Sequence, residues 1–236
     1  FYSTRSAKVL KNVVIAFLLI LPAIILVLIQ PDIGNSLAFF AIWLAMSVAC
    51  NFKLRHFAAL LVVALITLFL TYELLAPYQK QRISTFLNPA QDPLGTGYNI
   101  IQAKIATGSG GFFGKGFQHG SQSQLNFLPE SESDFIFASI SEQLGFLGAG
   151  FLIILFGWAI SRLLSIAQNQ EKFGQLIIFG IAAYLIVQFV VNVGMNMGIV
   201  PVTGITLPLV SYGGSSLITT LFLLGVAFSV NKWRLG

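Results

Sequence analysis

The chain has 236 residues, of which 56% are hydrophobic and only 9% are charged. A soluble domain carries roughly 25% charged residues, so this composition excludes a water-soluble globule, and its high hydrophobicity excludes a disordered chain. The single cysteine, Cys50, rules out a disulfide framework and a multi-cysteine metal site. The mean hydropathy of +0.84 indicates a polytopic membrane protein.

Apolar runs dominate the sequence, and six of them are long enough for a helix that crosses the hydrocarbon core, which takes about 20 residues. The last two are parts of one uncharged run from Phe173 to Asn231, which prolines and glycines between residues 201 and 214 divide. We therefore predict an all-α membrane protein, a polytopic helix bundle that forms a single transmembrane domain over residues 1–236. The predicted spans are Asn12–Gln30, Ile33–Asn51, Phe57–Leu75, Phe135–Ser161, Phe173–Met195 and Ser215–Asn231.

The basic residues set the orientation of these spans. If the spans alternate, nine of the thirteen Lys and Arg side chains fall on the side that holds both termini, and the positive-inside rule makes that side cytoplasmic. Topology thereby explains the net charge of +5, so nucleic acid is not an expected partner. Seven of the eight acidic residues fall on the other side or in the outer part of a span. We expect a cytoplasmic C-terminus and a functional site on the outer face.

The largest loop, residues 76–134, lies on the outer side, and long loops of this kind are usually functional. Tyr78–Leu87 has the pattern of a helix that lies in the membrane interface, and Tyr98–Ala106 has the pattern of a second short amphipathic helix. A glycine-rich stretch over residues 108–116 follows. Such a stretch can offer backbone N–H groups to a phosphate, but the Lys-Ser/Thr pair of a P-loop is missing, and a plain turn is the simpler interpretation.

Asp134 stands where the outer loop meets the fourth span, and two interpretations stay open. It is either a helix-terminal carboxylate that accepts from free N–H groups or a general base at the membrane surface. Like charge on Glu130 and Glu132 would raise the pKa of at least one member of this acidic cluster. Glu142 lies roughly 12 Å further along the helix. An ionisable group in a span indicates function by default, but a buried residue paired with a neighbour is the interpretation that we prefer.

Two further outer turns contain polar residues. Asp32, between the first two spans, is most simply the N-cap of the second span, and a role in binding substrate or metal is the alternative. The turn Gly198–Ser216 contains Ser211 and the Gly213-Gly214 pair. Irregular backbone at membrane depth survives only where it is buried in protein or lines a wet cavity. This turn is therefore expected to wall a cavity, with a structural role for the two glycines.

A series of motifs runs in order along nearly the whole chain. Its members are Gln30–Gly34, Tyr78–Arg82, Phe86–Pro89, Asp92–Tyr98, Ile101–Gly111, Gly114–Gly116, His119–Gln124, Asn126–Glu130, Asp134–Ala138, Gly198–Gly204 and Pro208–Ser216. Together they resemble the SEDS family of bacterial cell-wall proteins, and within it the RodA branch rather than the FtsW branch. No single motif is as specific as the whole series.

This resemblance implies a ten-helix fold in the bacterial cytoplasmic membrane, of which the six predicted spans are the last six. It implies polymerisation of lipid II, an undecaprenyl-diphosphate disaccharide-pentapeptide, into peptidoglycan strands for cell elongation and rod shape. It also implies a class B penicillin-binding protein as partner and Asp134 as the catalytic residue. The chain departs from the family in having Glu132-Ser133 for a frequent His-Thr and Gln143 for a frequent second Glu, neither of which changes Asp134.

The implied chemistry needs a base for a sugar hydroxyl and positive charge for the leaving diphosphate. Asp134 is the expected base. Arg82, Lys80 and Lys104 are the outer-face cations that we expect to bind the diphosphate, with N–H groups of the glycine-rich stretch assisting. A divalent cation is a possible cofactor for the diphosphate, but the sequence shows no set of residues that would bind it. The remaining candidates for binding the substrate are Ser109, Glu130, Gln124 and Ser211.

Two alternatives belong to other functional classes. A transporter that flips lipid II would use the same polytopic form and the intramembrane Glu142, and it would move lipid II whatever residue stands at position 134. A non-catalytic scaffold for the penicillin-binding protein would also tolerate substitution of Asp134. The acidic cluster at the outer surface favours the polymerase, because flipping needs a path through the bilayer rather than a base at its surface.

Overall fold

A computed structural model of the chain describes residues 1–5, 7, 9–50, 52, 77–92, 95–125 and 127–232. Every regular element among these residues is a helix, so the all-α architecture predicted from the sequence is confirmed. The helices are α1 (Leu10–Ile29), α2 (Ile33–Ala49), α3 (Pro77–Leu87), α4 (Thr96–Ser109), α5 (Ser121–Gln124), α6 (Ile136–Gln168), α7 (Lys172–Asn196) and α8 (Gly214–Lys232), with a 3₁₀ turn at Pro89–Gln91.

The long apolar helices are the candidate membrane spans. Helices α1, α6, α7 and α8 are each long and apolar enough to cross a membrane, and α2 is a shorter apolar helix of 17 residues. Large apolar side chains on them, such as Leu19, Ile154 and Phe222, are more than half exposed, which suits contact with lipid tails. These five helices agree with five of the six predicted spans. The other predicted span, Phe57–Leu75, lies outside the described residues.

The chain forms two compact units. The first consists of residues 1–77, 161–187 and 223–236, and the second of residues 78–160 and 188–222. In the first unit α2 packs on α1, where the Trp43 ring lies 5.0 Å from that of Phe17 and Trp43 Nε1 donates to Val13 O at 3.3 Å. Asp32 is the N-cap of α2, because its carboxylate accepts from the Asn35 N–H at 2.9 Å. The N-cap prediction for Asp32 is confirmed.

The second unit contains the outer segment, and its core joins α4 to the start of α6. Ala103 and Ala106 of α4 have no exposed surface and pack with the buried side chains of Leu128, Phe135 and Ala138. Small alanine side chains allow close approach of the α4 backbone to this cluster. Both short helices predicted in the outer loop are present, as α3 and α4.

Helix α6 is broken at Gly145, whose backbone angles (φ 66°, ψ −163°) lie outside the helical region. Such a break leaves N–H and C=O groups without partners inside the helix, and the glycine-rich loop after α4 supplies those partners. The loop N–H groups that take part are thereby used by the protein itself, which favours a turn over a phosphate site. The bonds run from Phe146 N to Gly111 O (2.9 Å), Leu147 N to Phe112 O (3.2 Å), Lys115 N to Glu142 O (3.0 Å) and Gly116 N to Gln143 O (3.0 Å).

Candidate active site

Asp134 lies in a tight turn that precedes α6. The N–H groups of Ser133 and Phe135 both donate to the carbonyl of Glu130, at 3.2 and 3.1 Å. Glu130 has a positive φ of 51°, and its carboxylate accepts a hydrogen bond of 2.8 Å from the Ser133 hydroxyl. The turn thus brings the charged groups of Glu130 and Asp134 close enough to influence one another.

The side chain of Asp134 is partly buried. Burial raises the pKa of the Asp134 carboxyl above its ordinary value, the negative charge of Glu130 raises it further, and the positive charge of Arg82 opposes both effects. Among the described residues, the hydrogen bonds made to Asp134 by side chains all end on its backbone carbonyl, so its carboxylate oxygens are free of them. Gly204 faces Oδ2, where a Cβ would lie at 3.5 Å. A free carboxylate with a raised pKa is suited to general-base chemistry.

The turn is held from a second side by the segment between α7 and α8. The Ser211 hydroxyl donates to Ser133 O at 2.6 Å, and the Tyr212 N–H donates to Glu132 O at 2.8 Å. The Ser211 hydroxyl also accepts from the Leu207 N–H at 2.7 Å. Ser211 therefore supports the backbone of the turn, and its predicted contact with substrate stays a prediction.

Two asparagines of α7 hold the Asp134 carbonyl. Asn192 and Asn196 both donate to it through Nδ2, at 2.9 and 3.0 Å, and both side chains are fully buried. Neither asparagine is among the site residues predicted from the sequence. A signal was present, because two amides four residues apart in an apolar span share a helix face and need partners when they are buried.

The predicted cations lie on two helices of the second unit. Lys80 and Arg82 are on α3, and the charge of Arg82 acts on the Asp134 carboxyl. Lys104 is an exposed residue of α4 whose side chain runs beside Gly198, so that a Cβ at Gly198 would collide with Lys104 Cε. The charge of Arg82 thus acts on the carboxylate, whereas binding of substrate by any of the three stays a prediction.

The other predicted substrate and support residues are distributed through the same unit. Ser109 ends α4, and its hydroxyl donates to Ala106 O at 3.1 Å inside the helix. Gln124 ends α5 with an exposed side chain. Gly213 directly precedes Gly214, the first residue of α8. Glu142 is fully buried and forms an ion pair with Lys115, which is the interpretation preferred from the sequence.

A divalent cation would need a group of ligand side chains near the substrate. Within the described ranges, no three His, Cys, Asp or Glu side chains are grouped as a metal site would group them. Mg²⁺ is typically bound through one or two carboxylates together with substrate phosphates. The described residues show no such group of ligands, and a divalent cation as cofactor stays a prediction.

The fold and this site define a class, a polytopic helical membrane protein with a carboxylate held at the end of a span. Sequence comparison then gives the family. The chain belongs to the FtsW/RodA/SpoVE family, described as cell cycle proteins, whose model matches residues 3–234. The resemblance to the SEDS family is thereby confirmed.

Curated relatives carry enzyme names. The chain is 45% identical over 228 residues to the peptidoglycan glycosyltransferase MrdB of Escherichia coli K12, covering 95% of this chain and 61% of the relative. It is 47% identical over 162 residues to the peptidoglycan glycosyltransferase RodA of Treponema pallidum, covering 68% and 37%. It is also 38% identical over 216 residues to the stage V sporulation protein E of Bacillus subtilis, covering 91% and 58%. The chain therefore spans about three fifths of the E. coli relative.

Solved structures agree with this assignment. One, from a peptidoglycan synthase complex that coordinates polymerization and crosslinking, superposes with a TM-score of 0.74 at 36% identity and covers 92% of this chain and 60% of that one. The RodA structure of Thermus thermophilus gives a TM-score of 0.61 at 31% identity and covers 94% and 57%. The chain is thus an integral membrane protein with the fold of these relatives.

Proposed function

We propose that this chain is the part of a peptidoglycan glycosyltransferase that carries the base for polymerising lipid II into glycan strands. The single observation that carries the proposal is the state of Asp134. Its backbone is clamped, its side chain is partly buried, and no described residue hydrogen-bonds to its carboxylate oxygens. The relatives named as peptidoglycan glycosyltransferases support the reaction class.

In this reaction Asp134 accepts the proton of the 4-hydroxyl of one lipid-linked sugar. The oxygen attacks the anomeric carbon of a second lipid-linked sugar, a new C–O bond forms, and the bond from that carbon to the diphosphate oxygen breaks. Undecaprenyl diphosphate leaves with the bonding electron pair. A positioned carboxylate base is worth about 10²–10⁴-fold in rate. The raised pKa of Asp134 suits proton transfer better than that of an ordinary aspartate.

Positive charge is the second requirement of the reaction, because negative charge develops on the leaving diphosphate. We assign this role to Arg82, Lys80 and Lys104. Arg82 is the strongest of the three candidates, since its charge already acts on the Asp134 carboxyl. Ser109, Gln124 and Glu130 are proposed to bind the saccharide or peptide portions of the substrate, and the role proposed for Ser211 is exerted through the carbonyl of Ser133.

The proposal extends to location and partner. The distribution of basic residues supports a cytoplasmic C-terminus and a site on the outer face of the bacterial cytoplasmic membrane. A class B penicillin-binding protein is the proposed partner, because the structural relative comes from a complex that couples polymerization to crosslinking. Such a partner would crosslink the strands that this chain produces.

The decisive experiment compares glycan synthesis from purified lipid II by the wild-type chain, Asp134→Asn and Glu132→Gln in proteoliposomes. We expect Asp134→Asn to be inserted and folded but to lose at least about 10²-fold in rate. The matched control Glu132→Gln removes an exposed carboxylate two residues away and should retain most of the activity. Normal strand synthesis by Asp134→Asn would overturn the assignment.

The same vesicles test the two alternatives. A flippase would move fluorescently labelled lipid II across the bilayer equally well with Asp134 or with Asn at that position. A scaffold would show neither activity alone, and substitution of Asp134 would not change crosslinking by the partner. Glycan formation that depends on Asp134 contradicts both.

A further inference from the structure

Asn192 and Asn196 lie one helical turn apart at the C-terminal end of α7, and neither side chain has exposed surface. Buried amides are costly unless they are hydrogen-bonded, and these two are bonded extensively. Besides the Asp134 carbonyl, Asn192 Nδ2 reaches Ile205 O at 2.7 Å, and Asn196 Nδ2 reaches Asn192 O at 2.7 Å. The pair thus joins the Asp134 turn, α7 and the segment after α7.

The Oδ1 atom of Asn196 makes a contact of a different kind. It accepts from the N–H of Ala138, at 2.9 Å. Ala138 is the third residue of α6, and the N–H groups of the first helical turn have no partner inside the helix. A side chain from another helix therefore provides the capping hydrogen bond of α6.

A carboxylate near the start of a helix is stabilised by the free N–H groups of the first turn. Asp134 stands two residues before α6, yet its carboxylate accepts no hydrogen bond from the described residues. Because Asn196 Oδ1 accepts from the Ala138 N–H, that donor is not available to the Asp134 carboxylate. The backbone of Asp134 is fixed at the same time by the two Nδ2 donors.

We propose that Asn196 is a positioning residue that takes over the capping bond at Ala138 and so keeps the Asp134 carboxylate free for the substrate, while Asn192 acts only on the Asp134 backbone. The inference rests on the proposed function for its chemical consequence. Its geometric part is that Asn196 caps α6 at Ala138 whereas Asn192 contacts only the Asp134 backbone, and this difference is testable without any substrate.

The two asparagines therefore differ in their expected effect on titration. Without the Asn196 amide, the Ala138 N–H is unsatisfied, and the Asp134 carboxylate can turn to accept from it, which stabilises the charged form and lowers the pKa. Without the Asn192 amide, Asn196 still caps α6. The charged groups that act on Asp134 are Glu130 of the same turn and Arg82 of α3, and both remain in every variant.

The test is an infrared titration of the ¹³C-labelled Asp134 carboxyl in the full chain in lipid nanodiscs, with the band assigned by Asp134→Asn. We expect Asn196→Ala to lower the midpoint by roughly one pH unit, the size of one capping interaction. Asn192→Ala should leave the midpoint in place although it removes as many side-chain atoms. Equal shifts in both variants, or no shift in Asn196→Ala, would overturn the inference.

Asn196→Asp provides a second variant of almost the same shape. One oxygen of the new carboxyl can still accept from the Ala138 N–H. The other faces the carbonyl oxygens of Asp134 and Asn192 in a fully buried site, so it is protonated and donates as Nδ2 does, and the midpoint should stay at the wild-type value. If Asn196→Ala does not fold, this variant decides, and a lowered midpoint contradicts the inference. A rate profile against pH adds a separate reading: if the wild-type chain makes no glycan, the proposed function fails, while the titration still decides the role of Asn196.

Discussion

The Nζ atom of Lys115 lies 2.8 Å from Oε1 of Glu142, and the Glu142 side chain is completely buried. The carboxylate also accepts from the N–H groups of Gln122 and Ser123, both at 3.0 Å. These donors belong to the first turn of α5, so the Glu142 carboxylate of α6 provides acceptors for the free N–H groups at the start of that short helix. Glu142 thus ties α5, which ends in the predicted substrate residue Gln124, to the broken helix α6.

Substitution of Glu142 by Ala should destabilise the outer segment strongly. The change leaves two backbone N–H groups of α5 without their acceptor, at about 1–3 kcal/mol each if they stay dry, and removes the ion-pair partner of Lys115, whose side chain is 30% exposed. We expect a lower thermal midpoint in detergent and faster proteolysis between residues 110 and 125. Lys115→Met is the control, because Glu142 then keeps its backbone donors and the loss should be smaller, about 1.5 kcal/mol. A larger effect of Lys115→Met than of Glu142→Ala would contradict this account.

The break in α6 predicts a contrast between two glycines. Gly145 has a backbone conformation that is essentially restricted to glycine, and a Cβ there would lie 2.7 Å from Phe112 O. Gly145→Ala should therefore cost about 1–3 kcal/mol from backbone strain alone, with a further penalty from the collision. Gly157 lies in the same helix with no atom within 4 Å of an added Cβ, so Gly157→Ala should be neutral or stabilise by about 0.5–1 kcal/mol. Thermal unfolding of both variants in detergent measures the difference.

Periodicity and charge predicted most of the fold, because apolar runs of about 20 residues and short amphipathic helices leave a local signal. The position of Asp134 at a span end was also readable. The break at Gly145 and its pairing with the loop at Gly111 were not, since they depend on hydrogen bonds between segments far apart in sequence. The same holds for Asn192 and Asn196, whose amides are 58 and 62 residues from the carbonyl that they bind.

Ser211, in the segment that precedes α8, allows a test of the hydrogen bonds that hold the Asp134 turn. Its hydroxyl donates to Ser133 O and accepts from Leu207 N, so Ser211→Ala leaves two backbone groups unsatisfied, at about 1–3 kcal/mol each if they stay dry. We expect a lower thermal midpoint together with a reduced rate of glycan synthesis. Ser215→Ala, which removes the same atom from an exposed position, should change neither. Equal effects of the two substitutions would exclude a special role for the Ser211 hydroxyl.

The charged neighbours of Asp134 predict opposite displacements of the pH–rate profile. A general base works when it is deprotonated, so the rate falls as pH decreases through its pKa. Because burial and Glu130 raise the pKa of Asp134, this fall should begin at a higher pH than an ordinary aspartate would give. Glu130→Gln removes a negative charge and should move the acidic limb to lower pH, whereas Arg82→Gln removes a positive charge and should move it to higher pH.

The measurement is the rate of glycan synthesis from lipid II between about pH 4 and pH 8, with lipid II saturating so that the profile reports the bound state. The double variant Glu130→Gln with Arg82→Gln is the control, because the two displacements oppose each other and the limb should lie between those of the single variants. The maximal rate is expected to fall in the variants that lack Arg82, since that cation is also assigned to the leaving diphosphate. Shifts of the same sign in both single variants would show that the acidic limb does not report Asp134, because only opposite shifts are compatible with one carboxyl group between these two charges.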